Sequence, residues 1–249
     1  MKKIIKYLFL LTGGSFILAS CNDFLDREPL DSVTPDNFFF TENDLAAYAV
    51  KHYNFTTHEG FNAGIWRNDN ATDNQAATDY DKKWIPGQWK VPEAYDNPAS
   101  NDPWYFSAIR EANYFLETVV PRFEKGEIEG SETNIKHYIG EMYFLRAKNY
   151  LSKLETFGDF PIIKNTLPDE SVSLIQASKR EPRHKVARFI LEDLDLAIGL
   201  LTNTISGGKN RITKNAALLL KSRAALYEAS WLTYHKGTAL VPVSYTHLT

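Results

Sequence analysis

Four aromatic side chains, Trp66, Tyr80, Trp84 and Trp89, carry the clearest chemical signal in this 249-residue chain. They lie among Asp, Asn and Gln residues, with Tyr95 and Trp104 close behind. An indole face stacks on the apolar face of a pyranose, while amides and carboxylates take its hydroxyls. Sugar recognition uses a mostly apolar surface with a few placed polar groups. Trp66, Tyr80, Trp84 and Trp89 are therefore candidate ligand-binding residues. The same rings could instead staple a long loop to neighbouring helices. Trp104 enters the next helical pattern and is read as structural on that ground.

Other reactive side chains form no catalytic pattern. Asp69, Asp73, Asp79 and Asp81 lack the Asp-x-Asp-x-Asp-Gly order and distal Glu of a calcium loop, and they read as solvated acids. His52 has no His or Cys partner at metal spacing, so no metal is expected. There is no phosphate loop, Gly-x-Gly-x-x-Gly, His-Glu-x-x-His or Gly-x-Ser-x-Gly. Glu192, Asp193 and Asp195 read as a solvated helix face rather than as two carboxylates flanking a glycosidic bond. No catalytic residue and no cofactor are expected.

The single cysteine, Cys21, has a different chemistry. Lys2, Lys3 and Lys6 form a basic start, and Tyr7 to Ala19 is free of charge but too short to span a bilayer, which needs about 20 apolar residues. Leu18-Ala19-Ser20-Cys21 then matches a bacterial lipobox. Residues 1–20 read as a lipoprotein signal peptide and Cys21 as the lipidated mature amino terminus. Acyl chains stabilise anchoring by about 0.8 kcal/mol per buried methylene. Removing Lys2, Lys3 and Lys6 from the 28 basic residues leaves 25 against 31 acidic, a net charge of −6. That balance offers no patch for a phosphate backbone, so nucleic acid is not an expected partner.

The elements that must position these residues are helical. Residues 21–40 have no helix pattern and read as a tether stiffened by Pro29 and Pro35, with Phe38, Phe39 and Phe40 docking on the body. Thr41-Glu42-Asn43-Asp44 opens a helix as a capping box. Periodicity then fails from Asn54 to Asp102, a loop long enough to require a functional reason. Asp102-Pro103 caps a second helix that Pro121 closes. From Ser131 a long helix runs to Gly158, with Ile139, Tyr143, Ala147, Tyr150 and Leu154 in stripe and Tyr138, Met142, Phe144, Leu145 and Leu151 around it. A helix apolar over so much of its surface packs on more than one side. Leu167 to Arg183 reads as a polar connector. Val186, Ile190, Leu194, Ala197 and Leu201 mark a further helix ended by Gly207-Gly208. Thr213 caps the last, with Ala216, Leu220, Ala224, Tyr227 and Trp231 in stripe.

Tyr143-Phe144-Leu145-Arg146-Ala147, then Tyr150, then Phe157-Gly158-Asp159-Phe160-Pro161-Ile162 resembles the central motif of the SusD/RagB family of outer-membrane nutrient-uptake lipoproteins. Cys21-Asn22-Asp23-Phe24-Leu25-Asp26 is similar to the family's mature start. Phe106 to Asn113 and Ala216 to Tyr227 resemble two of its helices. The resemblance implies an all-α, SusD-like fold of tetratricopeptide-type helix pairs with long irregular loops. It covers nearly all of Cys21 to Tyr234, the amino-terminal half of such a protein, with residues 41–241 as the truncated helical domain. The tail, residues 242–249, looks like translated adapter sequence and is read as non-native. The implied function is capture of oligosaccharide at the outer membrane, exposed on the cell surface, for a SusC-like TonB-dependent transporter. A helical scaffold lipoprotein without glycan affinity is the alternative. A surface glycan hydrolase, which would release product through a carboxylate, is disfavoured by the missing motifs.

Overall fold

The apolar pattern around Tyr138 to Leu154 forms the helix on which the others are built. The computed structural model describes residues 38–53, 55, 71–72, 75–76, 85–86, 103–205 and 210–241. Six helices stand among them: α1 (Glu42–Lys51), α2 (Ser107–Glu124), α3 (Glu132–Phe157), α4 (Ser171–Ala177), α5 (Arg183–Leu200) and α6 (Lys214–Tyr234). A two-residue antiparallel pair, β1 (Ala71–Thr72) and β2 (Gln75–Ala76), accompanies them. All six helices belong to the compact unit Phe39–Thr249. The fold is all-α, as the sequence pattern and the resemblance imply.

α3 packs against α1, α2 and α5, and α5 packs against α6. Side-chain pairing shows the neighbours running antiparallel. His137, Arg146 and Leu154 of α3 meet Thr202, Asp193 and Arg183 in reverse order along α5. Arg183 and Asp195 of α5 likewise meet Glu228 and Lys221 of α6. Ile135, Met142, Phe144, Leu145, Ala147, Tyr150 and Leu154 are all buried, so α3 has core on several sides. Burying one Leu or Phe side chain contributes about 1.5–3 kcal/mol, and the packed rows of α3 thereby outweigh local propensity. Gly158, at φ 73°, ends the helix in a conformation that a Cβ would strain.

α1 is fixed by its cap. Thr41 accepts from the Asp44 amide while the Asp44 carboxylate accepts from Thr41 N–H. Phe39 is fully buried between Tyr48 and Phe115, with centroid distances of 5.0 and 5.3 Å. Phe40, by contrast, is 40% exposed under the Arg122 guanidinium, so not all three phenylalanines dock.

Several sequence boundaries move. α2 begins at Ser107 rather than at Pro103, and residues 103–104 form a turn whose Trp104 packs on the core. It runs one turn past Pro121, because a proline keeps helical φ and removes only one donor. α5 ends at Leu200, well before Gly207-Gly208, which lie outside the described residues. Leu201 leaves the helix because it is buried against α3 beside Gly140, and Thr202 N–H donates to His137 Nδ1 at 3.2 Å. The connector from Leu167 to Arg183 holds the short α4, none of whose residues is buried.

Candidate functional site

Two concavities and three buried polar clusters are candidates for chemistry among the described residues. The first concavity, about 340 Å³, lies between α2, α4 and the segment after Pro161. Trp104, Phe106, Ile109, Ile163 and Leu174 form its apolar walls, with Arg110 and Asn165 among its polar groups. Trp104 is held by Phe157 and Phe160, at 4.0 and 5.8 Å between centroids, and by the Arg180 guanidinium 4.8 Å from its ring. The expected structural role of Trp104 stands, and the ring also lines the groove. Such a groove holds a ligand by contact and hydrogen bonding.

The second concavity, about 700 Å³, lies where the carboxy-terminal ends of α3 and α6 meet the start of α5. Arg183 Nε donates to Glu228 Oε2 at 2.8 Å, and its guanidinium lies 4.0 Å from the Trp231 ring. Burial pushes the Glu228 carboxyl up, against the opposing pull of Arg183. Three buried atoms of this cleft have no hydrogen-bond partner among the described residues: Arg183 Nη2, Glu228 Oε1 and Trp231 Nε1.

The remaining clusters are closed. Arg146 Nε and Nη2 donate to the two Asp193 oxygens at 2.8 Å each. Arg146 Nη1 donates to Asn113 Oδ1 at 2.9 Å, and Asn113 Nδ2 donates to the Ile163 carbonyl at 2.9 Å. Tyr150 Oη accepts from Ile163 N–H at 2.8 Å. Together they clamp the segment after Pro161 onto α2, α3 and α5. Burial pushes the Asp193 carboxyl up, and its bidentate bonds to Arg146 pull it back. Arg211 Nε donates to Glu141 Oε1 at 2.9 Å, with Arg211 Nη1 on the Ala46 carbonyl at 3.2 Å. His137 Nε2 stands 3.2 Å from Glu141 Oε1, and both residues are fully buried. These groups hold helices together; each carboxylate is engaged by a guanidinium and buried from substrate.

Cys21, Trp66, Tyr80, Trp84 and Trp89 lie outside the described residues, as do the acids Asp69, Asp73, Asp79 and Asp81. The reading of Asp193 as solvated is corrected: it is 2% exposed and paired. Its position carried the signal. Val186, Ile190, Asp193 and Ala197 follow each other at steps of four, three and four, so Asp193 falls on the apolar stripe. Glu141 falls likewise between Tyr138 and Leu145, and Glu228 falls four residues after Ala224. A charge on a core stripe predicts a buried partner. His52 packs beside α2, with its Nδ1 3.2 Å from Glu111 Oε2.

Comparison with known proteins places this geometry. A family model described as starch-binding and associating with the outer membrane matches residues 23–226. SusD-like protein P2 of Formosa agariphila is 26% identical over 219 residues, which is 86% of this chain and 40% of that protein. SusD-like protein P25 of the same organism is 23% identical over 243 residues, 93% of this chain and 44% of that protein. A crystal structure of a SusD-like protein from Bacteroides fragilis superposes with a TM-score of 0.60 at 25% identity, covering 82% of this chain and 38% of that one. The chain spans less than half the length of these relatives.

Proposed function

The chain belongs to the SusD-like family, and on that premise we propose that it is a surface lipoprotein that binds oligosaccharide and passes it to a SusC-like TonB-dependent transporter. The match over residues 23–226 to a family described by starch binding and outer-membrane association carries this reading. The aromatic loop supports it, with Trp66, Trp84, Trp89 and Tyr80 as the stacking surface and neighbouring amides as hydroxyl partners. The described helices supply a rigid frame, since buried pairs join α3 to α5, α5 to α6, and α3 to the segment before α6. The protein binds rather than cleaves its glycan. Cys21, behind a basic start and a short uncharged run, is the proposed lipid attachment point at the outer membrane.

The test is calorimetric titration of a panel of soluble polysaccharides into the protein, expressed at the full length its gene encodes. One glycan is expected to bind. Trp66→Ala, Trp84→Ala and Trp89→Ala combined should weaken it at least tenfold, since an aromatic hot spot is worth about 2 kcal/mol or more on truncation. Unchanged affinity in that triple variant moves the site elsewhere. No affinity across the panel favours a scaffold. Mass spectrometry of the native amino terminus tests the anchor, and an unmodified Cys21 refutes it. Absence of a large barrel transporter from a mild detergent pull-down refutes the delivery step.

A further inference from the structure

Positive charge gathers at one place in a chain that is acidic as a whole. Lys179, Arg180, Arg183, Lys185 and Arg188 fall within ten residues, with His184 among them and Glu181 as the one acid. A run of one sign repels itself and marks an interaction surface more readily than a stabilising one. Two of its members are engaged elsewhere. Arg183 is buried against Glu228, and the Arg180 guanidinium lies 4.8 Å from the Trp104 ring. His184, Lys185 and Arg188 line a third, more open concavity of about 460 Å³, which Lys164 joins from the segment after Pro161. Lys185 is held by Glu181 at 2.8 Å. Lys164 and Arg188 are exposed and stand in no ion pair among the described residues.

This cluster opposes the local fold. Arg183, His184 and Lys185 occupy the first turn of α5, where backbone amides already make the helix end positive, and no acid stands in that turn. Burial first, and then the charges of Lys185 and Arg188, lower the His184 pKa below its ordinary value, with Asp159 and Glu181 opposing. An anion in the concavity relieves both repulsions.

The lining narrows the kind of anion. Its apolar residues, Ile162 and Phe189, are half-buried and buried, so neither projects into lipid as a membrane-docking wall requires. The space exceeds a lone inorganic oxyanion and admits a sugar ring together with its acidic group. Glu192, on the same wall, would repel a bare anion but accepts from hydroxyls. We propose, resting on the glycan-binding role proposed for the whole protein, that this concavity takes an acidic saccharide. Lys164, Lys185 and Arg188 hold its carboxylate or sulfate group, and Glu192 takes neighbouring hydroxyls.

The probes are hexagalacturonate, a sulfated galactan hexasaccharide and, as neutral controls, maltohexaose and cellohexaose. Each is titrated calorimetrically into the protein at the full length its gene encodes. At least one acidic hexasaccharide is expected to bind about tenfold or more tighter than the neutral ones, the gain expected of charge-assisted hydrogen bonds. Lys185→Gln combined with Arg188→Gln should cut that advantage to about threefold or less, and raising salt from about 50 to 500 mM should shrink it in the parent. The double variant should melt no lower than the parent, since it takes like charges from the positive end of α5. Lys164→Gln removes a charge without touching α5 and keeps the test valid if the double variant is destabilised. Acidic hexasaccharides that bind no better than neutral glycans overturn the proposal and leave glycan binding standing. An acidic preference that survives both variants overturns it as well, by placing the charge reader elsewhere. So does inorganic sulfate that binds as tightly as the acidic hexasaccharides. Attachment to phosphatidylglycerol vesicles through these residues, with no acidic saccharide bound, overturns it in favour of a membrane surface. No binding by any saccharide removes the glycan-binding role and this site with it.

Discussion

Arg146 is the position where one substitution should cost most. It lies within the motif that carries the family resemblance, yet it is 5% exposed and faces the interior. Arg146→Met removes both bonds to Asp193, the bond to Asn113 Oδ1 and the contact with the Lys164 carbonyl at 3.3 Å. The methionine fills most of the volume, so little of the loss is a cavity. What remains is a buried carboxylate stripped of its bidentate guanidinium, with only the weaker pull of Lys164 left to offset its burial. Breaking a buried pair from one side costs about 3–5 kcal/mol. In a domain of this size that lowers the melting temperature by roughly 2–4 °C per kcal/mol, hence by about 6–20 °C. Asp193→Leu should cost a similar amount, because it leaves the guanidinium unpaired. The double variant Arg146→Met with Asp193→Leu removes both charges and should recover most of the loss, since apolar replacement of a whole buried pair is often neutral. Urea unfolding followed by far-ultraviolet circular dichroism measures all four proteins. Single variants within about 1 kcal/mol of the parent would refute the clamp. So would a double variant whose loss is the sum of the two singles, because additivity means that the side chains do not act on each other.

Four further outcomes follow from the geometry. A Cβ on Gly140 would lie 3.0 Å from Leu201 Cγ and 3.2 Å from Leu201 N, so Gly140→Val should destabilise by about 2–3 kcal/mol. Gly199→Ala on α5, with nothing within 4 Å of its Cβ, should instead stabilise by up to about 1 kcal/mol in the same urea assay. Gly158→Ala forces a side chain into φ 73° and should cost about 1–2 kcal/mol, read as a lower melting temperature with unchanged helix content. Burial lowers the His52 pKa below its ordinary value, with Glu111 opposing, and His184 is lowered in the same direction. The unfolded chain therefore takes up protons first as pH falls through about 6.5, and stability declines there. The parent should lose more melting temperature between pH 7.5 and 5.5 than His52→Gln does, and equal losses would exclude His52 as a cause.

Much of this fold is local and was legible in the residues. The capping box at Thr41, the stripe of α3 and the Gly158-to-Pro161 stop each depend on neighbours three or four positions away, and each appears where the pattern puts it. The family followed from the same stretch together with Cys21-Asn22-Asp23-Phe24-Leu25-Asp26. Helix ends were less legible, because some are set by residues far along the chain. α5 stops at Leu200 because Leu201 and Thr202 are claimed by Gly140 and His137 of α3, more than sixty positions away. α2 passes Pro121 because one missing donor weighs less than the core burial of Phe115, Leu116 and Val119.

Charge was the hardest feature to place. The types of Asp193, Glu141 and Glu228 say solvent, while their positions on apolar stripes say core. Which prevails depends on whether a guanidinium from a distant part of the chain arrives at bonding distance. The sequence alone determined the helical periods, the caps at Thr41 and Thr213 and the family, since these rest on local chemistry and on motifs read in order. Only the tertiary structure decided that Arg146, Asp193 and Asn113 form a clamp and that Arg183 pairs with Glu228. Both depend on contacts between residues distant in the chain, and no local pattern specifies those.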